Sequence, residues 1–475
     1  MWLRLQRHFC GVRKTTKKDT QKQNTMKTKT TTKLLLGLAA SVFALGNTNG
    51  QTNQQLNSNA ISLISNGSGT AAPGGNLWGY VFGDYAYVSQ GDSAGRGTKM
   101  QYKGLAASGQ QQNPNAFEVR RAYLGYNYNI NSKFSAYALM AYEGDYDVNN
   151  NRTVYLKYIY FKWKNIFKGS DLKIGQQATN SFANAYNTEP LMGYRASEKT
   201  IMDMHGMDGS SDMGVTLEGK LWKAGDADTA NTPTFIGYSA MLGDNSGNTP
   251  VPVFTGAGTA PNTTTDVLKK VRANVYVNTL NGKLTVGLYT DYYNYGNLPY
   301  AKSSTVRQVA QQTMKAYAVY NAKWFGLGFE YVNQTLKNGE TETNLTTPAS
   351  NDTTNASQGG ISIFAHGTII QKRLNIFARY DMYTADNNYT YSSTTPIIYN
   401  TYFSNLGGTP GKTAVSNVSY KETFMNFGLD WTPTDDKKVH FMPNVWMYGI
   451  NNAYGSDNLK SDNYMVYRIT FLCAF

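Results

Sequence analysis

Cysteine is nearly absent from these 475 residues, with only Cys10 and Cys473 present. Cys10 lies in a basic N-terminal stretch that reads as removed, so Cys473 stands alone and no intrachain disulfide framework is expected. Long apolar runs are missing too. Residues 34–45 (LLLGLAASVFAL) reach about half of the ~20 residues a spanning helix requires, and no later stretch is longer. With a mean hydropathy of −0.47, a bundle of membrane helices is excluded. Charge is thin at 16% of residues, against ~25% in ordinary soluble domains. Histidine numbers only four, and His205, His366 and His440 have no serine and acid pattern around them. The glycine-containing loops lack phosphate-loop spacing, so neither an enzyme nor a cofactor is expected.

The excess of positive charge is local. The net charge is +13, but residues 1–50 hold ten Lys/Arg against Asp19 alone, which leaves +4 once they are removed. A basic chain invites a nucleic-acid partner; here most of that basicity belongs to an address, and nucleic acid is not expected. Lys27, Lys29 and Lys33 precede the apolar run, and small and polar residues follow it up to Gln51, as in a secretory signal peptide. The expected organisation is an upstream extension before Met26 (1–25), a signal peptide (26–50) cut after Gly50 or alternatively Ala44, a mobile Asn- and Ser-rich segment (51–76), and one folded unit (77–475).

What the chain has in abundance is tyrosine, 36 residues, within an aromatic share of 13%. Period-two alternation marks a strand with unlike faces. It recurs at 78–88, 117–128, 134–142, 153–163, 172–176, 214–221, 235–242 and 271–279, and again at 284–293, 314–321, 325–334, 361–370, 374–382, 423–431, 439–448 and 464–475. In the last window (YMVYRITFLCAF), Met465, Tyr467, Ile469, Phe471, Cys473 and Phe475 share one face, and Arg468 and Thr470 the other. One side suits lipid and the other a wet lumen.

The connections alternate in length. Short ones lie at 129–133, 165–170, 281–283, 321–324, 371–373 and 432–438, and long polar ones at 89–116, 177–213, 243–270, 294–313, 335–360 and 383–422; only 222–233 is long for a turn. That order predicts an all-β fold: a transmembrane antiparallel up-and-down β-barrel of about 16 strands in the bacterial outer membrane, with long extracellular loops, short periplasmic turns and both termini in the periplasm. No repeat of ~40–50 residues marks a propeller. The segment before the first strand is too short for a plug. Outer-membrane lipid is one expected partner, and the barrel-assembly machinery, through the C-terminal strand, another.

Three motifs then resemble the phosphate-selective porins of the O/P type. Phe117-Glu118-Val119-Arg120-Arg121-Ala122-Tyr123-Leu124-Gly125 resembles their early RRAxLG strand, Leu172-Lys173-Ile174-Gly175-Gln176 their strand before the third loop, and Ile376-Phe377-Ala378-Arg379-Tyr380-Asp381 their late ARYD strand. The resemblance implies a sixteen-stranded porin, a homotrimer, and a third loop folded inward as a constriction. Where that family has an acidic-basic step, this chain has Tyr194-Arg195-Ala196-Ser197-Glu198, and it lacks a dense run of arginines.

Sixteen tilted strands enclose more volume than side chains fill, so a water-filled lumen is expected. Alternation assigns Arg121, Lys157, Lys220, Arg272, Arg379 and Arg468 to it, opposed by Glu218, Asp291, Glu330 and Asp381, with Arg195 and Lys199 added from the third long loop. Arg120 and Arg121 are adjacent, so strict alternation allows only one, Arg121, to face inward. The pair Arg379 and Asp381 reads equally as a wall salt bridge or as part of an anion site. In the third loop, Met202, Met204, His205, Met207 and Asp208 read as packing against the wall rather than as a metal site. The expected function is passive diffusion of small hydrophilic solutes with a weak preference for phosphate-like anions. The alternative is a non-conducting adhesion or scaffold barrel acting through its outer loops.

Overall fold

In the computed structural model, residues 73–90, 115–144, 152–181, 199–223, 234–245, 269–299, 306–344, 352–387, 397–401, 420–452 and 462–475 are described. The expected segments 1–25, 26–50 and most of 51–76 lie outside them. The first eight strands are β1 (Gly74–Gln90), β2 (Asn115–Asn129), β3 (Phe134–Tyr142), β4 (Tyr155–Phe167), β5 (Ser170–Ala178), β6 (Ser211–Lys223), β7 (Phe235–Gly243) and β8 (Lys270–Thr279). They continue as β9 (Leu284–Pro299), β10 (Val306–Asn321), β11 (Phe325–Asn344), β12 (Asp352–Ile370), β13 (Leu374–Thr384), β14 (Ile397–Thr401), β15 (Tyr420–Trp431), β16 (Val439–Asn452) and β17 (Asp462–Ala474). A single turn of helix, α1 (Ile201–Met204), lies between β5 and β6 and is capped by the Thr200 hydroxyl, which accepts from the Asp203 amide.

Each strand pairs antiparallel with the next, β13 passes directly to β15, and β17 returns to β1, closing a ring of sixteen. All sixteen expected strands are present. The seventeenth, β14, lies off the ring and pairs with residues 340–344 of β11. At the seam, Gly79 and Phe475 exchange backbone hydrogen bonds of 3.1 and 2.9 Å. The Phe475 ring covers Gly79, where a Cβ would collide with it. A bare glycine lets the last residue lie flat against the first strand.

The burial pattern is the reverse of a soluble protein. On β8, Asn274 is 1% exposed and its neighbour Val275 48%; on β9, Tyr289 is 2% exposed and Leu288 66%. Polar groups therefore face inward and aliphatic ones outward along the same strands, an arrangement stable only in lipid. This is a multi-pass β-barrel of the bacterial outer membrane, and no helix among the described residues is long and apolar enough to cross a bilayer.

Two stretches expected as long loops are instead largely ladder. β9 and β10 leave only residues 300–305 between them, and β11 and β12 leave 345–351. Here the residue types no longer alternate, as at Asn333, Gln334 and Thr335, because Gln334 faces the inward loop and donates to the Met207 carbonyl, while the backbone keeps pairing.

Candidate functional site

The charged lumen wall is built at two places. One corner spans β17 and β1 to β4. Asp84 of β1, fully buried, receives Arg468 of β17 at 2.6 Å and the Thr470 hydroxyl at 2.6 Å. The Arg468 guanidinium also lies 3.5 Å from the Trp446 ring centre. Glu143, one residue beyond β3, receives Lys157 at 2.5 Å and Arg121 at 3.3 Å, together with the hydroxyls of Tyr123 and Tyr155.

Strict alternation fails here, in a useful direction. The β1–β2 register pairs Phe82 with Arg121 and Gly83 with Val119, leaving Arg120 as the extra residue of a β-bulge. Both arginines consequently reach the interior, Arg121 to Glu143 and Arg120 to Asp84 at 3.9 Å. The expectation that only Arg121 faces inward is thus corrected. A second bulge, on β4, pairs Leu139 with Tyr158 and Met140 with Leu156, so Lys157 and Tyr158 also both turn inward. In this corner Arg120, Arg121, Lys157 and Arg468 face Asp84 and Glu143, and Arg152 and Glu118 form a further pair beside them at 3.9 Å.

The second place is where the chain between β5 and β6 lies on the inner wall of β8 to β13. Asp208 receives Lys270 at 2.8 Å, two nitrogens of Arg272 at 2.9 Å each, Ser181 at 2.8 Å and Tyr289 at 3.1 Å. Arg272 also holds Asp212 at 2.7 Å, and Lys270 reaches Asp291 at 3.4 Å. Burial pushes the Asp208 carboxyl up, but the Arg272 and Lys270 charges outweigh it and hold it well below the usual carboxylate range. The Met207 carbonyl accepts from Gln334 at 2.7 Å and Gln311 at 3.3 Å, and the Ser181 carbonyl accepts from Lys315 at 2.7 Å.

Arg379 completes this anchor. It clasps Asp381 through two hydrogen bonds of 2.9 and 2.6 Å, donates to the Lys199 carbonyl, and reaches the Met204 sulfur at 3.5 Å. The Arg379 and Asp381 pair forms a wall salt bridge that also grips the loop. Ile201, Met202 and Met207 pack against Val332, Leu336 and Tyr383, and the His205 ring stacks on Tyr383 at 3.4 Å. The described part of the third loop therefore folds inward.

Among the other lumen candidates, Lys220 is exposed, with its amine 4.5 Å from the Phe235 ring centre, Glu218 is shared by Lys162 and Lys173, and Glu330 pairs with Lys315 at 3.3 Å. Lys199 contributes its backbone carbonyl to the anchor. Arg195 lies outside the described residues. Sequence reasoning missed Asp84, Glu143 and Lys270, and expected Asp208 to pack against the wall without foreseeing its ion pairs with Lys270 and Arg272. Asp84 follows Trp78, Tyr80 and Phe82 on the same face, and Glu143 follows Tyr137, Leu139 and Ala141, so continuing the alternation by one step would have found both. Nothing local to the loop pairs Asp208 with Arg272.

Several solved structures are similar to this ring. The outer-membrane channel DcaP of Acinetobacter baumannii aligns with a TM-score of 0.49 at 12% identity, covering 86% of this chain and 99% of its own. An anion-selective porin from Comamonas acidovorans gives 0.49 at 12%, covering 85% and 100%. Pseudomonas putida OprB gives 0.48 at 11%, covering 89% and 97%. No protein-family profile matches the chain, and no curated protein matches it.

Proposed function

We propose that this barrel is a porin: a water-filled channel through which small hydrophilic solutes diffuse passively, with a weak preference for anions. The observation that carries it is a sixteen-stranded ring with a polar inner face and a loop fastened along one side of it. Such a ring is too wide for side chains to fill, and a loop folded inward narrows it without closing it. The anion preference rests on the corner where Arg120, Arg121, Lys157 and Arg468 outnumber Asp84 and Glu143, while Asp208, Asp212 and Asp291 outnumber Lys270 and Arg272 about half a ring away. Homotrimerisation follows from the resemblance of the RRAxLG, GQ and ARYD strands to the O/P porins. Uptake by the assembly machinery through β17 and removal of residues 26–50 as a signal peptide belong to the same reading.

Planar-bilayer recording of the purified protein tests it. Stable conductance steps, with the reversal potential in a salt gradient displaced to the anion side, are expected. A heat-modifiable barrel that carries no current would instead favour a surface scaffold, a reading to which the extension of β11, β12 and β14 beyond the ring lends itself.

A further inference from the structure

Lysine marks the short turns. Six of them are described, and each carries one: Lys133 between β2 and β3, Lys168 between β4 and β5, Lys283 between β8 and β9, Lys323 between β10 and β11, Lys372 between β12 and β13, and Lys438 between β15 and β16. Lys323 is half-buried and the other five are exposed. The carboxylates of the same turns are Asp435 and Asp436, and both are engaged. Asp435 pairs with Arg373 at 3.1 Å, and Asp436 accepts from the Thr434 hydroxyl at 2.6 Å and the Lys438 amide at 3.2 Å. None of the six lysine amines forms an ion pair with a described carboxylate.

These cations begin where the lipid-facing belt ends. Ile130, Phe167, Leu280, Ile370 and Phe441 are exposed, and each lies within three residues of one of the five exposed lysines. Three residues of extended chain span at most about 10 Å, so each amine is held close to the edge of the apolar belt. Trp163 and Trp431, also exposed, stand toward the same end, and tryptophan with one apolar and one wet side marks the level of lipid headgroups. The alternation of a strand stops at its turn, and the long apolar stem of lysine lets the amine snorkel to the headgroups while the stem stays on the belt.

The charge at that level selects the lipid. A headgroup that brings its own ammonium is neutral overall and gains little from a neighbouring lysine, whereas a phosphodiester without one is attracted by about fivefold for each lysine near the surface. The placement selects lipid over protein. The lysines are spread round the ring from β2 to β16, so whatever answers them all must surround the barrel, as its lipid annulus does; a docked protein would cover one side. We propose that the short-turn rim is a collar for anionic phospholipids of the inner leaflet, whose phosphates meet the turn lysines while their acyl chains lie on the apolar belt above. The collar is on the outside of the barrel and stands whether or not the lumen conducts.

The tryptophans supply the probe, since Trp163 and Trp431 are exposed at this rim and bromine on a lipid chain quenches an indole it touches. The barrel is reconstituted in phosphatidylcholine vesicles containing either brominated phosphatidylglycerol or the same fraction of brominated phosphatidylcholine. Phosphatidylglycerol should quench with a relative affinity higher by about fivefold at low salt, and the two lipids should converge at about 1 M salt. Lys133→Gln, Lys168→Gln and Lys372→Gln combined should remove most of the preference while the heat-modifiable band is kept. If that variant does not assemble, the salt series on the unaltered protein decides. Equal quenching by the two lipids at low salt overturns the collar, and a preference that survives both high salt and the substitutions overturns it as well, because the lipid is then held elsewhere. Equal quenching together with lysine-dependent retention on isolated peptidoglycan overturns it in favour of a contact with the cell wall.

Discussion

At the scale of the residue, Asp208 ties the loop to the wall through two cations, Lys270 and Arg272, and Tyr289, and binds the loop's own Ser181. Removing one partner of a buried ion cluster typically costs about 3–5 kcal/mol, because the charges left behind remain desolvated. Asp208→Ala is therefore expected to free the loop, read as faster proteolysis between β5 and β6 and as noisier single-channel current. The pH dependence has a definite sign. The folded carboxyl is held below the ordinary aspartate value of 3.8, so its contribution is fully present above that value and fades only as pH falls beneath it. Loop cleavage should stay constant from neutrality down to about pH 5 and rise only in stronger acid; a rise between pH 7 and 6 would rule Asp208 out as the anchor. Little of this was legible beforehand. Arg272 is found by alternation, but its partner comes from a loop whose contacts depend on tertiary folding.

At the scale of the element, the strands were the most legible part, because lipid on one side and water on the other impose a period of two that residue type must follow. Where that asymmetry ends, legibility ends with it: the upper parts of β11 and β12, and all of β14, are ladder without alternation. The bulge at Arg120 is a third case. Two adjacent arginines in a strand with one lipid face conflict with alternation, and an inserted residue is the physical way out. The register on either side, Phe82 with Arg121, Gly83 with Val119 and Asp84 with Glu118, is already regular without Arg120, so deleting it leaves Glu118 on the inner face near Tyr142 at 3.4 Å. That deletion is expected to keep the heat-modifiable band that marks the folded barrel, whereas deleting Val119 instead, which moves Arg120 to the lipid-facing position at a cost of about 2–4 kcal/mol, should weaken or lose it. Equal loss of the band in both would show that the extra residue itself is needed for folding.

At the scale of the whole molecule, the charges form a lopsided ring. The corner at β17 and β1 to β4 has an excess of cations, and the loop side at β8 and β9 has an excess of carboxylates. A transverse field of this kind turns dipolar solutes and biases ions only weakly, since each sign has its own wall. The cationic positions are not equivalent in consequence. Arg120 and Arg121 share few carboxylates, so Arg120→Gln with Arg121→Gln should move the reversal potential in a salt gradient toward zero with the conductance largely kept. Arg379 is committed to Asp381 and to the loop backbone. Arg379→Gln should instead release the loop, raising conductance and noise while shifting selectivity less than the double variant. Measuring reversal potential and conductance together separates the two roles. If Arg379→Gln moved selectivity as far as the arginine pair with conductance unchanged, the guanidinium would be acting on passing ions, and the anchoring role assigned to it would be wrong.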